Sequence, residues 1–168
     1  DFAFDNLGLA YLENNADGSI TLGSTETSTT GNAMHVAYKT APSPPYKVTT
    51  LLHTMNVSWS GTGSSSVWGM CFRESATGEF VQLGAISSPP ISFQIFSAFR
   101  WNSPTSTSAA VPGRLLPDCN VNWAFMQLED DGVDLHFRAS YNGITWFTIA
   151  SDGRTAFMAG GPDQIAIT

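Results

Sequence analysis

A chain of 168 residues is long enough for one domain with a substantial core, and 42% hydrophobic and 12% aromatic residues against 12% charged exclude a disordered chain. A net charge of −7, with seven Lys and Arg and no basic run, argues against binding a phosphate backbone, so nucleic acid is not an expected partner. No apolar run reaches ~18 residues, so neither a transmembrane helix nor membrane insertion is expected.

No helical period persists for three turns. Short alternating runs between Gly, Pro, Asn, Asp and Ser clusters predict an all-β sandwich or barrel instead. In chain order the predicted strands cover 7–13, 19–25, 33–40, 46–59, 66–75, 79–86, 91–101, 121–129, 133–140, 144–150, 155–158 and 164–168. Ahead of the fourth, Ala41-Pro-Ser-Pro-Pro45 reads as a connection, since Pro cannot sit in a central strand. The run 46–59 places Leu51, His53, Met55, Val57 and Trp59 on one side, expected to be the buried one, with His53 a satisfied histidine on an apolar face. Fourteen residues is long for a strand, so a bend is expected near His53 or Asn56. In 91–101, Ile91, Phe93, Ile95, Phe99 and Trp101 share a face, and Phe96 breaks the pattern. Asn102 to Asn120, with three prolines and a Ser/Thr tract, reads as a long loop of the kind that carries function. In 133–139, Val133, Leu135, Phe137 and Ala139 point inward while Asp134, His136 and Arg138 point to solvent.

The two cysteines, Cys71 and Cys119, are too few for a disulfide-stapled fold and read as buried thiols; spacing alone leaves a single bridge open. The chain begins Asp1-Phe-Ala-Phe, without Met or a signal sequence, and stops on the strand-like Gln164-Ile-Ala-Ile-Thr168. We therefore expect residues 1–168 to be one β-sandwich domain of a chain that is longer at one or both ends.

From Pro44 onward the order of features becomes specific. Pro44-Pro-Tyr-Lys-Val-Thr leads into a long strand, followed by Trp68-Gly-Met-Cys-Phe-Arg-Glu-Ser-Ala-Thr-Gly-Glu-Phe-Val. Next come Arg100-Trp-Asn-Ser-Pro and Trp123-Ala-Phe-Met-Gln-Leu-Glu-Asp-Asp-Gly, then Ser140-Tyr-Asn-Gly-Ile-Thr-Trp and Gly161-Pro-Asp-Gln-Ile. This series resembles the concanavalin A/laminin-G-like β-sandwich domains of tailed-bacteriophage virion proteins, over roughly the last two-thirds of the chain. The resemblance implies an antiparallel two-sheet jelly roll of the concanavalin A-like lectin and glucanase type. It also implies an adhesive or structural role on a tail fibre, baseplate or capsid surface, with other virion proteins as partners, a homotrimer as the common assembly, and a host-surface glycan as a possible target. The location implied is the virion, assembled in the bacterial cytoplasm, with no catalysis and no cofactor. The family fold has a further strand after the segment that Pro162-Asp-Gln-Ile matches, a second sign of a longer chain.

The residues were also read for chemistry. Glycoside hydrolysis needs two carboxylates across the scissile bond, ~5 Å or ~6.5–9.5 Å apart. Glucanases of this fold resemble an alternating Glu-x-Asp-x-Glu strand, whereas Glu129-Asp130-Asp131-Gly132 is contiguous, so neighbouring carboxylates point to opposite sides. Ser140-Tyr-Asn-Gly-Ile-Thr-Trp146 resembles a sialidase Asp-box, one position short and with Asn for Asp. Asp131-Gly132 and Asn142-Gly143 are hairpin turn signals. Asp130, Asp131 and Asp134 offer oxygens to Ca²⁺ but lack EF-hand spacing, and His35, His53 and His136 are too far apart for a zinc motif. No catalytic or metal residue is therefore assigned. Sugar recognition would use exposed aromatics. Trp68, Trp123 and Trp146 are read as core, leaving Trp101 with its neighbours Arg100 and Asn102 as the expected ligand contact, and Trp59 as the second. The rival functions are a carbohydrate-binding module of a secreted bacterial protein and, less favoured by the carboxylate spacing, a glycosidase.

Overall fold

The structure, a computed structural model, describes residues 2–6, 8, 10–24, 34–53, 66–87, 94–113, 116–117 and 123–168. Among them are fourteen strands and no helix: β1 Ala3–Asp5, β2 Ala10–Asn14, β3 Ile20–Ser24, β4 Val36–Thr40, β5 Tyr46–His53, β6 Ser66–Arg73 and β7 Phe80–Ser87. The rest are β8 Gln94–Ser103, β9 Ser106–Ala110, β10 Leu116–Pro117, β11 Trp123–Asp130, β12 Asp134–Ser140, β13 Phe147–Gly153 and β14 Gln164–Ile167. One sheet runs β1-β4-β14-β6-β7-β8-β10, with β9 also on β8; a second runs β13-β12-β11-β5; β2 and β3 form a hairpin. Every pairing is antiparallel. The expected all-β antiparallel class is what the chain adopts.

The two large sheets share one apolar core, in a sandwich-like arrangement. The eight-stranded sheet contributes Met70, Phe72, Val81, Leu83, Phe96, Ala98 and Ile165; the four-stranded sheet contributes Ala124, Met126, Leu128, Leu135, Phe137 and Ile149. Phe72 and Phe137 meet edge to face across the gap, ring centres 5.5 Å apart at 78°. Burying a side chain such as Phe137 contributes about 1.5–3 kcal/mol. A second cluster (Val36, Cys71, Phe80, Trp101 and Ala166, with Met34) occupies the opposite face of the eight-stranded sheet, so that sheet is apolar on both sides.

Several residues that carry the family resemblance lock one end of the molecule. Arg73 of β6 donates to Asp5 and Gln164 and lies 4.5 Å from the Tyr38 ring centre. Glu74 accepts from the Gly160 N–H and the Thr77 hydroxyl, and Asp163 from the Ser75 N–H. Asp130, with a side chain fully withdrawn from solvent, pairs with Arg154, which also donates to the Pro162 carbonyl. These polar groups bind one another across hairpin tips and the 154–163 segment, adding to the apolar anchoring of that segment by Met158 and Phe157 in the main core.

Several expectations are corrected. Val133, expected to point inward, is 73% exposed in the turn before β12. On β5 the half-buried side holds Tyr46, Val48, Thr50 and Leu52, while Leu51 and His53 are exposed; the strand's outward side is itself partly apolar, which inverted the reading. Phe96 is a main-core residue rather than an exception, because β8 has one core on each side. Residues 155–158 lie in turns, and the 102–120 loop contains β9 and β10. The predicted 7–13 strand corresponds to β2, Ala10–Asn14. Cys71 is a buried free thiol, so the bridge left open does not form. The 54–59 half of the long run, with Met55, Val57 and Trp59, lies outside the described residues, as does Cys119.

Candidate functional site

Of the residues expected to contact a ligand, the three that are described, Arg100, Trp101 and Asn102, do not form one site. Trp101 is 4% exposed. It stacks on Phe80 (ring centres 5.6 Å apart, 6° between planes), and its indole N–H donates to Gln82 Oε1 at 3.0 Å. Neither ring face nor donor is offered to solvent, and this corrects the expectation of a stacking platform there. Arg100 points the other way, between the sheets, where Nε and Nη2 bind Asp152 of β13 at 3.0 and 2.7 Å. That fork holds the sheets together and is occupied. Asn102 is exposed at the β8–β9 turn. Trp59 lies outside the described residues.

The surface that does gather recognition chemistry is the outer face of the four-stranded sheet. Register builds it. Alternation along β11 buries Ala124, Met126 and Leu128 and turns Trp123, Phe125, Gln127 and Glu129 outward. Pairing then sets Trp123 opposite His53, Phe125 opposite Leu51 and Ser140, Gln127 opposite Thr49 and Arg138, and Glu129 opposite Lys47 and His136. One end is apolar: Trp123 is 39% and Leu51 53% exposed, and the Trp123 and Phe125 rings sit edge to face at 6.1 Å. Beneath Phe125 passes the turn at Gly143, whose φ of +71° and closeness to the ring (an added Cβ would lie 3.2 Å from it) both favour glycine. Trp123 is thus exposed rather than core as expected, and its parity with Gln127 and Glu129 is the sequence signal that it faces out.

The other end is polar and internally paired. Gln127 Nε2 donates to Thr49 Oγ1 at 3.0 Å, and its Oε1 accepts from Arg138 Nη1 at 3.1 Å. Arg138 also binds Glu129, which Lys47 approaches at 3.5 Å. The Arg138 hydrogen bond and charge, aided by Lys47, hold the Glu129 carboxyl below its usual range. His136 lies between Ser151 Oγ at 2.9 Å and Asp131 Oδ2 at 3.1 Å. Asp131 Oδ1 accepts the Val133 and Asp134 N–H groups; these bonds first, and His136 second, lower its pKa to about 2.

The contiguous carboxylates diverge as alternation requires: Glu129 on the outer face, Asp130 inward onto Arg154, Asp131 into its own turn. Among the described residues, the carboxylates with displaced pKa values, Asp17, Glu129 and Asp131, are all lowered, whereas a general acid at neutral pH needs one raised. Among the described residues no three His, Cys, Asp or Glu are grouped to hold a metal. A separate cleft of about 470 Å³ runs along the edge strand β13, between Pro112, Gly113, Trp146 and Ser151, and among the described residues no ionisable side chain lines it.

No protein-family model matches the chain, and no curated protein matches it. A solved structure, a functionally unknown protein from Saccharomyces cerevisiae, superposes with a TM-score of 0.53 at 13% identity, covering 96% of this chain and 85% of that one. The likeness concerns the fold alone.

Proposed function

We propose that the chain is a non-catalytic adhesive domain on a concanavalin A-type jelly roll, and that it binds its target through the outer face of β5, β11, β12 and β13. The observation that carries this is the division of that face into an exposed aromatic end and a polar end whose charges are already neutralised in place. Such a surface is prepared to bind and has no free acid or nucleophile to react. The motif order from Pro44 to Ile165 supports placing the domain on a tailed-phage particle, with other virion proteins as neighbours and a trimer as the working assembly. A secreted bacterial binding module would use the same face and is the second reading; exposure of Trp123 favours it equally.

The labelled chain, incubated with intact bacteria and read by flow cytometry, tests the adhesive function. Saturable adhesion that Trp123→Ala reduces is the expected result. Stable incorporation into particles with no adhesion to any cell would leave a purely structural role. Hydrolysis of a glycan, abolished by substituting Glu129 or Asp131, would overturn the non-catalytic reading.

A further inference from the structure

We propose that Asn142 is a site of spontaneous deamidation which the folded turn holds closed, and that its conversion to isoaspartate disturbs the aromatic end of the outer face. The second part rests on the reading of that face as a binding surface; the first does not.

The chemistry is intramolecular. The Gly143 backbone nitrogen attacks Asn142 Cγ, a C–N bond closes a succinimide ring, the Cγ–Nδ2 bond breaks, and ammonia leaves with the proton of the Gly143 amide. Water then opens the ring at either carbonyl, giving aspartate or isoaspartate. Glycine after asparagine leaves the attacking nitrogen unshielded by a Cβ, and Asn142–Gly143 is the one Asn-Gly pair in the chain. Asn142 is exposed, so water and base reach it.

The folded turn opposes the first step. The Gly143 N–H donates to Ser140 Oγ at 2.9 Å, and Ser140 is 1% exposed, so this bond is sheltered from water. The same hydroxyl donates to Asn142 Oδ1 at 3.2 Å. That oxygen also accepts the Ile144 and Thr145 N–H groups at 2.9 and 2.8 Å, which pins the carboxamide toward the far side of the turn. Ring closure swings the Gly143 nitrogen toward Cγ and takes its N–H away from Ser140. The Phe125 ring, 3.2 Å from where a Gly143 Cβ would lie, blocks the turn from moving inward. Cyclisation therefore proceeds from an opened turn, at the rate of the unfolded chain scaled by the opened fraction.

The two products differ in effect. Aspartate keeps the backbone and offers the Ile144 and Thr145 N–H groups a carboxylate, the arrangement that Asp131 makes with Val133 and Asp134. Isoaspartate routes the backbone through the former side chain and adds a methylene to the turn, which carries Gly143 off its contact with Phe125. Phe125 braces Trp123 edge-on at 6.1 Å, so the disturbance reaches the exposed ring.

The test is incubation in mildly alkaline buffer, with peptide mass spectrometry measuring deamidation at residue 142. Three samples are compared: the folded wild type, the wild type in guanidinium chloride, and Ser140→Ala, whose folding thermal melting checks. The folded wild type should convert at least about tenfold more slowly than the unfolded chain. Folded Ser140→Ala should convert about fivefold faster than the folded wild type, the worth of one hydrogen bond. Amide hydrogen exchange at Gly143 in the wild type gives the same reading if Ser140→Ala does not fold, since the attacking amide should be protected. Equal rates in the folded and unfolded wild type, a folded Ser140→Ala that converts no faster, or an unprotected Gly143 amide overturns the first part. The isoaspartyl form, isolated by chromatography, should adhere to bacteria less than Asn142→Asp does, and equal adhesion overturns the second part. A wild type that adheres to no cell removes the binding face and the second part with it, while the measured rates still decide the first.

Discussion

Asp130→Asn is the sharpest test of how the fold is held. The Asp130 side chain is 0% exposed and that of Arg154 21%, and the two meet through Nε at 3.0 Å. Asp130 also accepts the Gly132 N–H at 2.9 Å, so one carboxylate holds both the β11–β12 turn and the segment that leads into β14. Asn keeps the volume and one acceptor oxygen but removes the charge, leaving a guanidinium largely enclosed with neutral acceptors, the Asn Oδ1 and the Pro162 carbonyl. Removing one member of a buried pair costs about 3–5 kcal/mol, and the partial exposure of Arg154 places the effect near 3. For a chain of this size, with 2–4 °C per kcal/mol, the melting temperature should fall by about 6–12 °C. Calorimetry on the wild type, Asp130→Asn, Arg154→Met and the double variant measures it. The double variant should be more stable than the sum of the single losses predicts, because it leaves no unpaired charge. A fall below about 2 °C, or simple additivity, would show that the pair contributes little and that the lock at this end lies elsewhere.

Trp101→Ala should cost about 3–5 kcal/mol through the cavity left under Phe80, while adhesion measured well below the melting temperature stays at the wild-type level; lost adhesion in a folded variant would return Trp101 to the binding site. Asp131 has its pKa lowered in the fold to about 2 from 3.8. It therefore contributes stability above about pH 4 that disappears as the pH falls toward 2, and Asp131→Asn should flatten the decline of melting temperature across that window. Cys71 is buried, and burial pushes its thiol pKa up. In a Cys119→Ser background an aromatic disulfide reagent should label it only as fast as the chain unfolds, and rapid labelling under native conditions would contradict that burial.

Legibility in the sequence followed from how many apolar neighbours each strand has. β12 itself is legible because one side faces the core and the other water, so Leu135, Phe137 and Ala139 alternate cleanly with His136 and Arg138; Val133, expected to point inward, lies in the preceding turn and is 73% exposed. β8 defeats the same rule. Phe96 and Ala98 enter one cluster and Phe99 and Trp101 approach the other, so alternation is present but polarity does not report it. β9 fails for the opposite reason: Ser106 to Ala110 is exposed on every residue, so a ladder to β8 forms with no apolar pattern to announce it.

The same physics decides where the site was sought. Trp101 stood out because Arg100 and Asn102 flank it, yet flanking residues on a strand point the opposite way and say nothing about the tryptophan's own side. The informative neighbours are two and four residues away. For Trp101 the nearest such residue is Phe99, and together they pack into the second cluster. For Trp123 they are Phe125 and Gln127, with Glu129 beyond, a series growing more polar along one face. That gradient cannot belong to a core face, since a Lys47–Glu129–Arg138 group would have to be buried with it. Trp123 is therefore held outward by the polar end of its own strand.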